Sequence, residues 1–96
     1  AMKHYIIVKY NDLAADREAL RAEITKLFGG VMDIDGVHGF TVHTSATDIA
    51  NRYDIMIIIY MDKDALPRFA QSDIHIAWKR DYTKYMQSKA IFDSDD

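Results

Sequence analysis

Four histidines and no cysteine define the chemistry that this 96-residue chain can offer. Lacking cysteine, it has no disulfide, no thiolate nucleophile and no Cys-ligated zinc. His38 and His43 lie five residues apart in a strand-like run, so they face opposite sides and cannot form a two-histidine metal site on that strand. Neither a metal nor an organic cofactor is expected. His75 is the histidine best suited to acid/base work. If Asp73 caps a helix, His75 falls in the first turn, where the positive end of the dipole and apolar neighbours disfavour imidazolium. A neutral imidazole is what a general base requires, and such bases contribute about 10²–10⁴-fold. Tyr82, two turns on and on nearly the same face, can share or relay a proton. His4 shares a strand face with Ile6 and Val8, which is assigned to the helix side, and can therefore approach His75. The competing readings are structural: His75 packing a helix junction and bonding backbone, His4 ending a strand in water.

Other chemistries are poorly represented. No Gly-rich phosphate loop, Ser–His–Asp set or close carboxylate pair is present. The formal charge of −3 argues against a nucleic-acid partner, and the aromatic strand motif that stacks RNA bases is missing. Lys79, Arg80 and Lys84 read as a solvated helix face, and Asp93, Ser94, Asp95 and Asp96 as a solvated acidic tail. Phe69, Trp78, Tyr82 and Tyr85 fall at helical spacing, which is more often core than a ligand box. The longest apolar run, Ile55 to Met61, is too short to span a membrane, and no signal peptide fits the opening residues. A cytoplasmic location without a membrane partner is the expectation.

The elements that must position these residues are legible from periodicity. The length suits one domain over residues 1–96, able to bury roughly 60–65% of its chain surface. Lys3 to Tyr10 is rich in β-branched and aromatic residues and predicts a first strand. From Leu13 a helical period follows, with Leu20, Ile24, Leu27, Phe28 and Val31 on one stripe, and Gly29-Gly30 as the stop. After an Asp35-Gly36 turn, Val37 to Thr44 predicts strand two; Ser45 to Arg52 is a polar loop, and Tyr53 to Met61 predicts strand three. A short helix capped by Asp62 or Asp64 carries Leu66, Phe69 and Ala70, and a further helix carries Ile74, Ala77, Trp78, Tyr82 and Tyr85. Lys89 to Asp93 closes the chain as strand four.

This order predicts an α+β, ferredoxin-like βαββαβ fold with a four-stranded antiparallel sheet. Right-handed crossovers put strands one and three at the centre and the helices on one face. A sheet covered on one face should alternate apolar and polar residues, but strand three does not. Ile55, Ile57, Ile59 and Met61 point one way, and Met56, Ile58 and Tyr60 the other. Strand one is nearly as two-sided, with Tyr5 and Ile7 opposite His4, Ile6 and Val8. Leaving the four-residue row of strand three wet would forfeit about 6–10 kcal/mol, at ~1.5–3 kcal/mol per large apolar side chain. A second sheet is the natural cover. The chain is therefore expected to form a homodimer, with Ile57 in the dry layer between the sheets.

With the elements placed, the sequence resembles the stress-responsive α/β-barrel (Dabb) family of the dimeric α+β barrels. The matching pieces are Lys3-His4-Tyr5-Ile6-Ile7-Val8-Lys9-Tyr10, Tyr53-Asp54, Asp62-Lys63-Asp64-Ala65-Leu66, His75, and Ala90-Ile91-Phe92-Asp93. The resemblance implies two sheets facing each other as a barrel, with the helices outside. A plant branch of the family cyclises polyketides by aldol chemistry without metal or organic cofactor, in a pocket between each monomer's helices and sheet. That branch relies on histidines matching His75 and His4, and on a tyrosine whose position is Phe69 here. A carbonyl substrate would then be polarised by another group, such as Tyr82 or water. Ile6, Val8, Phe69, Trp78 and Tyr82 are the expected walls of the pocket.

Three functions fit these residues. One is a cofactor-free enzyme or binder for a small apolar or aromatic carbonyl compound, with His75, His4 and Tyr82 as its acid/base groups. Another is a non-catalytic, stress-related dimer in which the same residues are structural. The third is a cofactor-free monooxygenase of a related barrel branch. A cavity beside His75 would favour the first or third, and a filled core there the second.

Overall fold

A computed structural model describes residues 1–96. The chain runs β1 (Met2–Tyr10), α1 (Arg17–Phe28), a 3₁₀ turn (Gly29–Asp33), β2 (Val37–Thr44), β3 (Ile55–Met61), then α2 (Leu66–Ala70), α3 (Asp73–Tyr82) and β4 (Met86–Ser94). Single 3₁₀ turns also precede α2 and follow α3. The four strands form one antiparallel sheet in the order β2-β3-β1-β4, with β1 and β3 central as expected. The fold is the ferredoxin-like βαββαβ arrangement. Leu20, Ile24 and Phe28 of α1, Phe69 of α2 and Trp78 of α3 share one core with Ile6, Val8, Ile57 and Ile59, so all three helices cover the same sheet face.

Helix ends differ from the periodicity in ways local chemistry explains. The first helix starts at Arg17 rather than near Leu13, because the Asn11 side chain accepts the Leu13 N–H and holds a turn there. Asp16 then caps, its carboxylate accepting the Ala19 N–H at 3.0 Å. Gly29 does not stop the helix in a left-handed conformation; its φ is −54°, and the chain tightens into the 3₁₀ turn. Gly30 serves packing instead, since a Cβ there would lie 2.9 Å from the Ile74 side chain at the start of α3 and force it to shift. The left-handed glycine is Gly36, at φ +90°, in the turn before β2.

The register overturns one sequence expectation. Ile57 pairs with Ile6, and Ile59 with His4, so the row Ile55, Ile57, Ile59 and Met61 faces the helices and not a second sheet. The open face carries the other row, Met56, Ile58 and Tyr60, beside Tyr5 and Ile7 of β1 and Phe92 of β4. Both rows of β3 are apolar, so side-chain type alone could not choose between them. Phe92, 62% exposed, is the most open large apolar side chain of that face.

Candidate functional site

Strand β1 carries His4 on the helix side, where only 6% of the residue is exposed. The antiparallel β1–β4 ladder sets Asp93 directly opposite it, and the His4 Nδ1 lies 2.5 Å from Asp93 Oδ1. A carboxylate can only accept, so Nδ1 carries the hydrogen and the lone pair of the neutral ring sits on Nε2. Nε2 has no protein partner, and it is not sealed either: the Tyr10 hydroxyl is the one buried side-chain polar atom left without a partner. A carboxylate orienting one ring nitrogen while the other stays free is the arrangement that makes imidazole a directed base.

His75 sits in the first turn of α3, as expected, but the cap is Ser72 and not Asp73. Ser72 Oγ accepts the His75 N–H at 3.2 Å, and Asp73 becomes the first helical residue. The His75 ring lies edge-on to Phe69, with centroids 5.1 Å apart, and Phe69 meets the His4 ring edge-on at 5.5 Å. Phe69 is thus held between the two imidazoles. Burial lowers the His75 pKa below the usual 6.5; the Lys79, Lys89 and His4 charges act the same way, and the Ala70 carbonyl opposes them. His75 is therefore neutral at pH 7.

A pH effect on stability follows. The folded His75 pKa lies below its unfolded value, so between the two the unfolded chain binds more protons and stability rises with pH. That stability is lost as the pH falls from about 6.5 through the folded value. Urea melts between about pH 7 and pH 5 should show a smaller loss for His75→Gln than for the parent; equal losses would contradict the depressed pKa.

The remaining expected site residues serve the core. Ile6, Val8, Phe69 and Trp78 are each no more than 2% exposed and pack together. None of the three cavities in the structure has His4, Phe69, His75 or Trp78 in its lining. Tyr82 stacks on Trp78, centroids 5.6 Å apart, and its hydroxyl donates to Glu23 Oε1 on α1 at 3.4 Å rather than to His75. What stays open near the histidines is the helix-side face of β4. Ile91 there is 48% exposed between Lys89 and Asp93, and its strand partner is the buried Ile6. No three of the chain's histidine, aspartate and glutamate side chains cluster closely enough to hold a metal ion.

Two groupings were missed by reading the sequence. Asp93 looked like part of a solvated tail, and only the β1–β4 register shows it as the partner of His4. Asp54 looked like a strand residue but closes the sheet end: Oδ2 accepts the Tyr10 N–H at 2.8 Å and Oδ1 accepts from Arg17 at 3.2 Å. The Arg17 guanidinium also lies over the Tyr10 ring, and burial pushes the Tyr10 phenol up to about 12.

No protein-family model matches the chain, and no curated protein resembles it in sequence. Solved structures do share its fold. A dimeric ferredoxin-like protein of unknown function from Thermobifida fusca superposes with a TM-score of 0.78 at 11% identity, over 96% of this chain and 87% of that one. A Dabb-family protein with a ferredoxin-like fold from Mesorhizobium loti gives 0.70 at 18% identity, over 96% and 92%. The hydroxynitrile lyase from Passiflora edulis gives 0.72 at 10% identity, over 96% and 89%. No helix of the chain is long and apolar enough to cross a membrane.

Proposed function

We propose that this chain is the protomer of a homodimeric α/β barrel of the stress-responsive type, which binds and converts a small carbonyl compound by histidine acid/base chemistry. The dimer reading is supported by the uncovered row of Tyr5, Ile7, Met56, Ile58, Tyr60 and Phe92. It is also supported by the description of the Thermobifida fusca protein as dimeric. The Passiflora edulis enzyme supports the view that this fold can carry catalysis on small molecules.

The observation that carries the chemical reading is the Asp93–His4 pair, across the Phe69 ring from a neutral His75. Substrate would lie on the open helix-side surface of β4, with its apolar part on Ile91. An imidazole lone pair removes a proton from the carbon next to the carbonyl, and the imidazolium so formed returns it to oxygen or to carbon. Asp93 stabilises the positive charge if His4 is the base. Phe69 has no hydroxyl to polarise the carbonyl, so that oxygen takes its proton from water.

The test is hydrogen–deuterium exchange at the carbon next to the carbonyl of phenylacetone in D2O, followed by proton NMR. Wild-type protein should exceed buffer by about 10²–10⁴-fold, and His75→Ala or Asp93→Asn should lose most of that gain while keeping the native circular dichroism. The closed packing of Phe69 and Trp78 favours the second reading, a non-catalytic dimer. Exchange no faster than buffer, with His75→Ala several kcal/mol less stable, would establish that reading instead.

A further inference from the structure

The open sheet face holds a cavity that the histidine site does not use. It occupies about 240 Å³ at the end of the sheet where β1 and β2 finish and β3 begins. The apolar part of its floor is Ile7 and Met56, which are cross-strand partners, and the exposed His43 stands opposite Met56 in the same row. Arg52 and Tyr53, from the loop that enters β3, form its wall. Lys9, outside the lining, braces this wall, with its Nζ 2.9 Å from the Arg52 carbonyl and 3.7 Å from Asp54 Oδ1. Asp54 is the acid in this lining, and it is already committed to the Tyr10 N–H and Arg17. Arg52 forms no ion pair; one N–H donates to Asn51 Oδ1 at 2.5 Å, leaving most of its fork free. A chain of net charge −3 thus places one unpaired cation, Arg52, beside an apolar floor.

We infer that this cavity binds a small amphipathic monoanion, an apolar body carrying one carboxylate, with Arg52 as charge partner and the open face of a second copy as its roof. The inference rests on the homodimer reading. On an isolated protomer the cavity is open to water, where an arginine–carboxylate contact is weak. A second sheet over it would exclude water, strengthen the bidentate contact and cover the ligand's apolar body. Binding and dimerisation are therefore coupled: a ligand that prefers the roofed cavity tightens the dimer, and the dimer tightens the ligand.

Benzoate is the probe, with benzamide as its uncharged counterpart of the same shape. In calorimetric titrations of the wild-type protein, benzoate should bind at least about tenfold more tightly than benzamide, and Arg52→Gln should weaken benzoate about 10- to 100-fold, the range of a charge-assisted hydrogen bond. Methyl NMR signals of Ile7 and Met56 should move on addition of benzoate, and sedimentation of dilute protein should show more dimer in its presence. Arg52 lies on the rim, so Arg52→Gln without ligand should remain folded and dimeric. A dimer that ignores benzoate, or binds it equally after Arg52→Gln, overturns the site alone. A wild-type chain that stays monomeric at micromolar concentration overturns the dimer and the site with it.

Discussion

Ile57→Asp should unfold the chain, whereas its neighbour Ile58→Asp should leave a folded monomer. The two residues are adjacent on a central strand and chemically identical, yet their side chains point to opposite faces of the sheet. Ile57 is fully enclosed between the sheet and the helices, opposite Ile6 on one side and Val42 on the other. A carboxylate there has no partner and no water. It must stay neutral or break the core, and either cost is a large fraction of the about 5–15 kcal/mol available to a domain. Ile58 is screened within its own chain by the sheet surface around it, where Tyr5 and Thr41 flank it in register. Those neighbours can move aside on a free surface and let a carboxylate reach water, but they cannot do so against a second sheet. Circular dichroism and sedimentation equilibrium together separate the outcomes. Loss of structure in Ile57→Asp, with a folded single chain in Ile58→Asp, is the expected pair. A native dimer in Ile58→Asp would remove the open face as the interface.

The same two residues show where sequence reading stops. Period-two patterning assigned His4, Ile6 and Val8 to the helix side of β1, and that assignment holds. The same patterning could not orient β3, because a strand apolar on both faces carries no parity information. Its orientation comes from register with β1, a long-range property that a single-strand pattern does not encode. Asp93 follows the same logic. Its side chain lies beside His4 only because β4 pairs with β1 with Ile91 opposite Ile6. The limits of β2, Val37 to Thr44, were legible because the Asp35-Gly36 turn and the polar loop after Thr44 punctuate it locally. Helix caps lie between these cases. Ser72 and Asp73 are both good caps, and which one serves is decided by a single residue of phase.

Trp78→Ala should cost about 3–5 kcal/mol, as removal of a buried large aromatic typically does. Trp78 is 1% exposed, meets Phe28 edge-on at 5.1 Å and stacks on Tyr82 at 5.6 Å. It therefore ties α3 to α1. Phe28 in turn contacts Phe69, at 6.5 Å between centroids, and Phe69 touches both imidazoles. This aromatic chain determines where α3 sits, and so where His75 stands relative to His4. For a domain of this size each kcal/mol lowers the midpoint by roughly 4–8 °C, so thermal melts will resolve the loss easily. Trp78→Phe keeps a ring against Phe28 and should lose less. The informative comparison is with His75→Ala on the same helix. If His75 serves chemistry, the two variants separate: Trp78→Ala is unstable, while His75→Ala is nearly as stable as the parent but inert in the exchange assay. Comparable losses of stability in both would make His75 one more member of the aromatic chain, holding α3 in place and moving no proton.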